Sequence, residues 1–280
     1  MKKIFAFIFS LLCYQFGGAQ QQMSCCTIDA TETFSRHASD KNFVAGHDEP
    51  LPFTYKSDKG KDIHFQTADG KQAHGWEIKA AKKTSYYLFV IHEWWGLNDY
   101  IKQEAEKLAN DLGLNVIALD LYDEKVASTR EDATKFMQAV TKERAVAIIQ
   151  GAYSYAGKEA KVFTIGWCFG GGWSLQASLL GGKQAVGCIM YYGQPEKDLE
   201  KLKTLSPDVL GIFGNKDQWP SPAVVDEFAG TMEKAGKKLI LKRYDAPHAF
   251  ANPSNPSFDK AATEDAYKHV LAFVRERMKK

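Results

Sequence analysis

Three side chains that could together carry out nucleophilic catalysis lie in separate turn-like segments of this sequence. Cys168 lies in the segment GWCFGGG, Asp217 ends the segment GNKD, and His248 ends the segment DAPH. A thiolate can attack a carbonyl carbon, an imidazole can carry the proton, and a carboxylate can orient the imidazole. We therefore take Cys168, Asp217 and His248 as a candidate catalytic triad.

The glycines around Cys168 have the spacing of a nucleophile elbow, the sharp turn between a strand and a helix that presents a nucleophile. Gly166 and Gly170 stand two residues before and two residues after it, where the strained turn leaves no room for larger side chains. The helix that follows would favour the thiolate and offer N–H groups to an oxyanion. We expect the N–H of Phe169 to be one oxyanion donor and that of Trp94 to be the second.

Other carboxylates compete for the role of orienting His248. Asp245 stands three residues before the histidine and is expected to form a local turn, whereas Asp120 precedes the nucleophile, against the usual chain order. Asp217 is therefore preferred. Taken alone, Glu93 is equally well read as a functional group or as a solvated residue at a strand end.

Aromatic side chains occur close to the same motifs and are candidates for the wall of a substrate pocket. They are Trp95, Tyr122, Trp167, Trp219 and Phe250. No grouping of His, Cys and carboxylates has the spacing of a metal site, and no glycine-rich dinucleotide fingerprint occurs. We therefore expect neither a metal nor a cofactor.

The pattern of strands and helices explains how residues far apart in sequence could meet. Residues 52–80 alternate in polarity and contain two turn signals, which predicts an antiparallel hairpin or short meander. From residue 86 to 278, apolar strands alternate with amphipathic helices, which predicts a mostly parallel sheet covered by helices on both faces. The fold class is therefore α/β, a three-layer sandwich with an N-terminal antiparallel hairpin. Ligand sites of such sheets lie at the carboxyl ends of the strands, which the candidate residues follow.

Composition and the first residues restrict the class of protein and its compartment. The chain has 280 residues, 45% hydrophobic and 25% charged, which is typical of a folded globular protein. Its net charge of +2 argues against nucleic acid as a partner. Two lysines, a short apolar run and small residues predict a secretory signal peptide over residues 1–19, too short for a membrane span. We expect an exported protein, periplasmic or extracellular, with no stable membrane span after cleavage.

Beyond the leader, the chain is expected to contain an irregular N-terminal arm over residues 20–50, without an evident function, and one domain over residues 51–280. The arm contains Cys25 and Cys26, adjacent residues that could form a disulfide only with a strained backbone. Cys188 lies in an apolar strand and is expected to be a buried small hydrophobe. The four cysteines after the leader do not form a disulfide framework.

Five motifs resemble those of the dienelactone hydrolase family, which has the α/β-hydrolase fold. They are IHEWWGLN, ALDLY, GWCFGG, GNKD and HAFAN, in that order, and the resemblance spans about residues 60–278. The resemblance implies a triad of Cys168, Asp217 and His248. It also implies that the Glu93 carboxylate contacts the resting thiol and helps to activate it when substrate enters.

The sequence departs from this family where chlorocatechol-pathway members carry arginines that bind the substrate carboxylate. The corresponding positions hold Asp123, Glu124 and Asn252, and Arg130 is too distant in sequence to be taken as a substitute. We therefore expect a thiol hydrolase of small esters or lactones whose acyl group and oligomeric state are open. Two alternatives stay open, namely another acyl substrate such as a thioester or peptide, and a secreted binding module without catalysis.

Overall fold

The structure is a computed structural model that describes residues 36–279. The predicted leader over residues 1–19, and the cysteines Cys25 and Cys26, lie outside the described residues. No helix of the described chain is both long and apolar enough to cross a bilayer.

The described chain contains one eight-stranded sheet, whose strands lie in the order β1-β2-β4-β3-β5-β6-β7-β8. The strands β1 and β2 form an antiparallel hairpin, β2 is also antiparallel to β4, and the other neighbours are parallel. This confirms the predicted α/β fold. The strands are β1 (Gly60–Gln66), β2 (Gln72–Ile78), β3 (Tyr86–Ile91), β4 (Asn115–Leu119), β5 (Lys161–Trp167), β6 (Ala185–Tyr191), β7 (Val209–Gly214) and β8 (Leu239–Tyr244).

Helices flank the sheet, and those after β3 alternate with the strands as the sequence pattern of residues 86–278 predicts. The helix α2 (Asp99–Leu112) illustrates the sequence signals, since its buried residues recur every three or four positions. The Asn98 side chain accepts the N–H of Ile101 at its start, and Gly113 ends the helix at φ 68°. The described helices are α1 (Lys41–Ala45), α2 (Asp99–Leu112), α3 (Arg130–Ala139), α4 (Lys142–Ala156), α5 (Phe169–Gly181), α6 (Leu199–Thr204), α7 (Pro222–Lys234) and α8 (Lys260–Met278), with a 3₁₀ turn at Gly182–Gln184.

Strand register brings the candidate residues to one edge of the sheet. Ile91, the last residue of β3, is paired with Gly166 in β5 and with Leu119 in β4. Gly214 at the end of β7 is paired with Tyr244 at the end of β8. The loops that follow these strands therefore leave the sheet on the same side, which we call the carboxyl edge.

The last helix, α8, ends at the opposite edge of the sheet. The hydroxyl of Tyr86, at the start of β3, donates to the carbonyl of Met278 over 3.3 Å. Arg277 forms an ion pair with Asp208, which immediately precedes β7. The C-terminal end of α8 thus lies beside the amino ends of the strands.

Residues 36–49, here called the N-terminal segment, are packed onto the carboxyl edge. Asp40 accepts the N–H of Asn42 at the start of α1, and the Phe43 ring is only 1% exposed. The Phe43 ring packs edge-on against the rings of Trp94 and Trp219, with centroid distances of 5.6 Å and 5.8 Å, respectively. The sequence predicts an irregular arm over residues 20–50, whereas the described part of it contains the short helix α1 (Lys41–Ala45) and is held by these aromatic contacts.

Candidate active site

The turn at Cys168 has the backbone of a nucleophile elbow. Cys168 joins β5 to α5 with φ 52° and ψ −117°, a region that residues with a side chain rarely adopt. A Cβ at Gly166 would lie 2.1 Å from the carbonyl oxygen of Gly170, and one at Gly170 would lie 2.2 Å from that of Ile91. Both positions therefore require glycine, as the sequence spacing predicted.

Backbone donors at the start of α5 point towards this turn. The N–H of Phe169 is hydrogen-bonded to the Cys168 sulfur, while the N–H of Gly171 donates to the Cys168 carbonyl over 3.0 Å. Phe169 therefore has the position expected of an oxyanion donor. Trp94 is fully buried beside the site, and its role as second donor stays a prediction.

The Asp217 carboxylate is the partner of His248. His248 Nδ1 donates to Asp217 Oδ2 over 2.8 Å, and the second oxygen of Asp217 accepts the N–H of Trp219 over 2.7 Å. Burial by itself lowers the pKa of His248, but Asp217 and the Cys168 sulfur outweigh it and raise that pKa well above its ordinary value. His248 is therefore well suited to take a proton.

The two rival aspartates have other partners. Asp245 is exposed and pairs with Lys216 over 2.9 Å. Asp120 is buried and accepts from His74 Nδ1 over 3.0 Å and from the N–H of Tyr122 over 2.8 Å. The geometry thus agrees with the preference for Asp217.

A second histidine, His47 of the N-terminal segment, lies against the thiol. Its Nε2 is 3.7 Å from Cys168 Sγ, and its ring centroid is 5.0 Å from that of His248. His47 Nδ1 donates to the Phe43 carbonyl over 2.7 Å, so the neutral ring presents a bare Nε2 to the thiol. Burial, reinforced by His248, lowers the pKa of His47 to about 3.

His47 was not among the site residues predicted from the sequence. The available signal was local: an Asp40 helix cap followed by Phe43 and His47, four residues apart and hence on one side of a helical turn. That spacing predicts a short amphipathic turn, but it does not show what the turn covers.

Burial shifts the pKa values of the Cys168 thiol and of the Glu93 carboxyl group. It raises the pKa of Cys168, against the lowering effect of His248. It also raises the pKa of Glu93 to about 7, against the effects of His248 and of hydrogen bonds from Tyr192 and Asn252. At neutral pH the resting Cys168 is therefore a thiol, and Glu93 lies near the midpoint of its titration.

Glu93 lies in the same buried cluster as Cys168 but is bound by other residues. One carboxylate oxygen accepts from the Tyr192 hydroxyl over 3.3 Å, and the other accepts from the Asn252 side-chain amide. Its charge opposes ionisation of Cys168. The contact between Glu93 and the resting thiol, implied by the family resemblance, stays a prediction.

A cleft that is open to solvent lies beside Glu93. Trp167 lines this cleft, and the acidic residues Glu93 and Glu104 lie in its wall with no Lys or Arg among its described lining residues. Burial raises the pKa of Glu104. The part of the cleft that residues 36–279 form therefore offers no cation to a substrate carboxylate.

The other four predicted pocket residues lie outside the lining of this cleft, because their rings pack within or beneath the loops. Tyr122 packs against His92 and Phe169, and Phe250 is fully buried against Tyr192. The remaining two, Trp95 and Trp219, pack against Trp94 and Phe43, respectively.

The basic side chains near the site are engaged elsewhere. Arg130 donates from Nε to the His47 carbonyl over 2.6 Å and from a terminal nitrogen to Asp48 over 2.7 Å. Asp123 is paired with Arg144 over 2.6 Å. Arg130 therefore binds the N-terminal segment and does not replace the missing substrate-binding arginines.

Comparison with known proteins agrees with this geometry. The model of the dienelactone hydrolase family matches residues 78–278. A Saccharolobus solfataricus protein with the provisional name carboxymethylenebutenolidase is 28% identical over 253 residues, covering 75% of this chain and 96% of that protein. Carboxymethylenebutenolidase 1 of Cupriavidus pinatubonensis is 27% identical over 205 residues, covering 67% and 84%.

Solved structures show the same fold. The dienelactone hydrolase-like promiscuous phosphotriesterase P91, from metagenomic libraries, superposes with a TM-score of 0.68 at 20% identity, covering 78% of this chain and 99% of that one. The family match extends from the end of β2 to the last turn of α8 and includes every motif of the candidate site except the N-terminal segment. This chain therefore belongs to the dienelactone hydrolase family.

Proposed function

We propose that this protein hydrolyses small esters or lactones through a thioester intermediate on Cys168. His248 takes the thiol proton as the sulfur attacks the acyl carbon, and the Phe169 N–H stabilises the oxyanion. Collapse of the tetrahedral intermediate breaks the ester C–O bond, and His248 gives its proton to the leaving oxygen. Water, activated by the same imidazole, then hydrolyses the thioester and restores the thiol.

The observation that supports this proposal is the elbow itself. Cys168 occupies a strained φ of 52° at the start of a helix, beside a histidine bound by a buried carboxylate. Strained backbone of this kind persists when the surrounding structure enforces it, and it concentrates at reactive sites. A buried cysteine with only a packing role would not require this geometry.

The cleft indicates the charge of the substrate. Carboxylate-bearing substrates would meet Glu93 and Glu104 with no neighbouring cation in the described lining. We therefore infer that the preferred acyl substrates are neutral, in contrast to carboxylate-bearing lactones. A panel of neutral esters, neutral lactones, thioesters, peptides and a carboxylate-bearing lactone separates these classes.

We also propose that the protein is exported, on the basis of the predicted leader over residues 1–19. Cell fractionation tests this directly: the mature protein should occur in the periplasm or the medium and begin near residue 20. Retention of the full-length chain in the cytoplasm contradicts the proposal for export without affecting that for catalysis.

Replacement of the nucleophile tests the catalytic proposal. Cys168→Ala should reduce turnover of p-nitrophenyl acetate to the background rate, because the proposed acyl-enzyme forms on the Cys168 sulfur. Cys188→Ala is the matched control, since Cys188 is also a buried free thiol but lies within β6.

Intact-mass spectrometry of wild type during turnover should detect an acyl adduct, and that of Cys168→Ala should not. Full activity in the Cys168→Ala variant would refute the nucleophile assignment.

A further inference from the structure

The sulfur of Cys168 and one nitrogen each of His47 and His248 lie within 4.8 Å of one another. The His47 and Cys168 atoms are already 3.7 Å apart. Zinc bonds of about 2.0–2.1 Å to nitrogen and 2.3 Å to sulfur put tetrahedral ligands roughly 3.3–3.7 Å from one another. Small side-chain rotations would therefore bring all three atoms to ligand positions around one cation.

Both imidazoles are oriented as metal-binding histidines usually are. His47 donates from Nδ1 to the Phe43 carbonyl, and His248 donates from Nδ1 to Asp217. Partners of this kind fix the ring with Nε2 directed at the metal, and a metal that binds there displaces any proton from that nitrogen. His248 Nε2 is moreover a buried atom that faces the cluster, and Cys168 is the side chain with which it interacts there.

The chemistry of the three donors selects a particular class of cation. Two imidazole nitrogens and one thiolate suit borderline-soft divalent ions such as Zn²⁺, and disfavour Mg²⁺ and Ca²⁺, which prefer oxygen. The nearby carboxylates of Asp217 and Glu93 add negative charge that offsets the charge of a dication. Three protein ligands leave the fourth tetrahedral position for solvent.

We propose that His47, Cys168 and His248 form a binding site for Zn²⁺ or a similar borderline-soft cation, which blocks the proposed nucleophile. Binding replaces the Cys168 S–H bond with a metal–sulfur bond and releases the proton to solvent. Since His47 belongs to the N-terminal segment, the cation also joins that segment to the core. The site can thus exist only while the segment is docked.

Metal titrations of the complete chain under reducing conditions test the site without relying on enzymatic activity. One equivalent of Co²⁺ should produce a thiolate-to-cobalt absorption in the near ultraviolet, and Zn²⁺ should displace it. Competition with a chromophoric chelator gives the Zn²⁺ affinity. Wild type that binds no metal, or binds Co²⁺ without the thiolate absorption, overturns the proposal.

The variant His47→Gln removes one proposed ligand. Loss of outer partners alone weakens metal sites roughly 10–100-fold, so loss of a ligand should weaken Zn²⁺ binding at least as much. His269→Gln, on the exposed side of α8, is the matched control and should bind like wild type. A His47→Gln variant that is folded by circular dichroism and binds Zn²⁺ as tightly as wild type contradicts the assignment.

The esterase assay distinguishes this proposal from the proposed catalysis. If both hold, Zn²⁺ suppresses turnover by wild type and a chelator restores it. If the catalytic proposal fails, the metal titrations still report on the three ligands. If the metal proposal fails, turnover is insensitive to stoichiometric Zn²⁺.

Discussion

Glu93 is the residue whose charge state is most sensitive to its surroundings near neutral pH. Its carboxyl group is buried with the Tyr192 hydroxyl and the Asn252 side-chain amide, and burial raises its pKa to about 7. Because that pKa is higher than in the unfolded chain, the folded protein holds the Glu93 proton more tightly. The stabilising contribution is complete below about pH 4.5 and is lost as the pH rises through 7.

The variant Glu93→Gln should therefore change the pH dependence of stability. Relative to this variant, wild type should lose about 3 kcal/mol of unfolding free energy between pH 4.5 and 7, since each pKa unit corresponds to about 1.4 kcal/mol. Urea unfolding across this pH range measures the difference. The exposed Glu264→Gln serves as control, and parallel curves for wild type and Glu93→Gln would show that burial does not shift this carboxyl group.

At the level of elements, the N-terminal segment is held by two different kinds of contact. Phe43 fills a gap between Trp94 and Trp219, and Arg130 at the start of α3 binds the segment through the His47 carbonyl and Asp48. The segment covers the thiol, which is only 2% exposed. Substrate can reach the sulfur only if this cover shifts or the neighbouring cleft widens.

Removing the aromatic anchor should uncover the thiol. In Phe43→Ala, a loss of about 3 kcal/mol in packing would raise the population of the undocked segment, so that iodoacetamide alkylates Cys168 at least about 10-fold faster. Peptide mass spectrometry over time measures the rate. Leu51→Ala is the control because Leu51 is exposed, and equal rates in all three proteins would show that the segment does not limit access.

Sequence patterns predicted the strands, the helices and the strand-end positions of Cys168, Asp217 and His248 better than they predicted which aromatic rings line the cleft. The elbow glycines and the strand-end motifs are local signals, and parallel strand register converts them into proximity. The docking of Phe43 and His47 depends instead on the surface of the core against which α1 packs. The local sequence of α1 gives no information about that surface. Likewise, the sequence places Tyr122 and Phe250 near the strand ends but does not show the direction of their rings. It therefore could not show that both rings pack inside the protein.

At the level of the whole molecule, Arg144 connects the antiparallel hairpin to the parallel part of the sheet. Its side chain, 11% exposed, extends from α4 and binds Asp69 in the β1–β2 turn, Asp123 in the loop after β4, and the Gln72 carbonyl. These bidentate and charge-assisted bonds are of the stronger class. Arg144 thus fixes the β1–β2 hairpin to the loop that follows β4 at the carboxyl edge.

Arg144→Ala should destabilise the whole fold, because it leaves several acceptors without their donor. We expect a loss of about 2 kcal/mol in urea unfolding at pH 7. Lys203→Ala, which removes an exposed pair with Glu200, should change stability by less than about 0.5 kcal/mol. If Arg144→Ala loses no more unfolding free energy than this control, the contacts of Arg144 with the hairpin do not stabilise the fold.

The position of the end of α8, bound through Met278 and Arg277 at the amino ends of the strands, has a practical consequence. A purification tag or an immobilisation linker fused after residue 280 emerges on the side of the molecule remote from Cys168. A fusion joined directly to residue 36 would instead begin in the segment that packs beside Cys168 and would obstruct it. Attachment to a support through the C-terminus should therefore leave the cleft facing the solution.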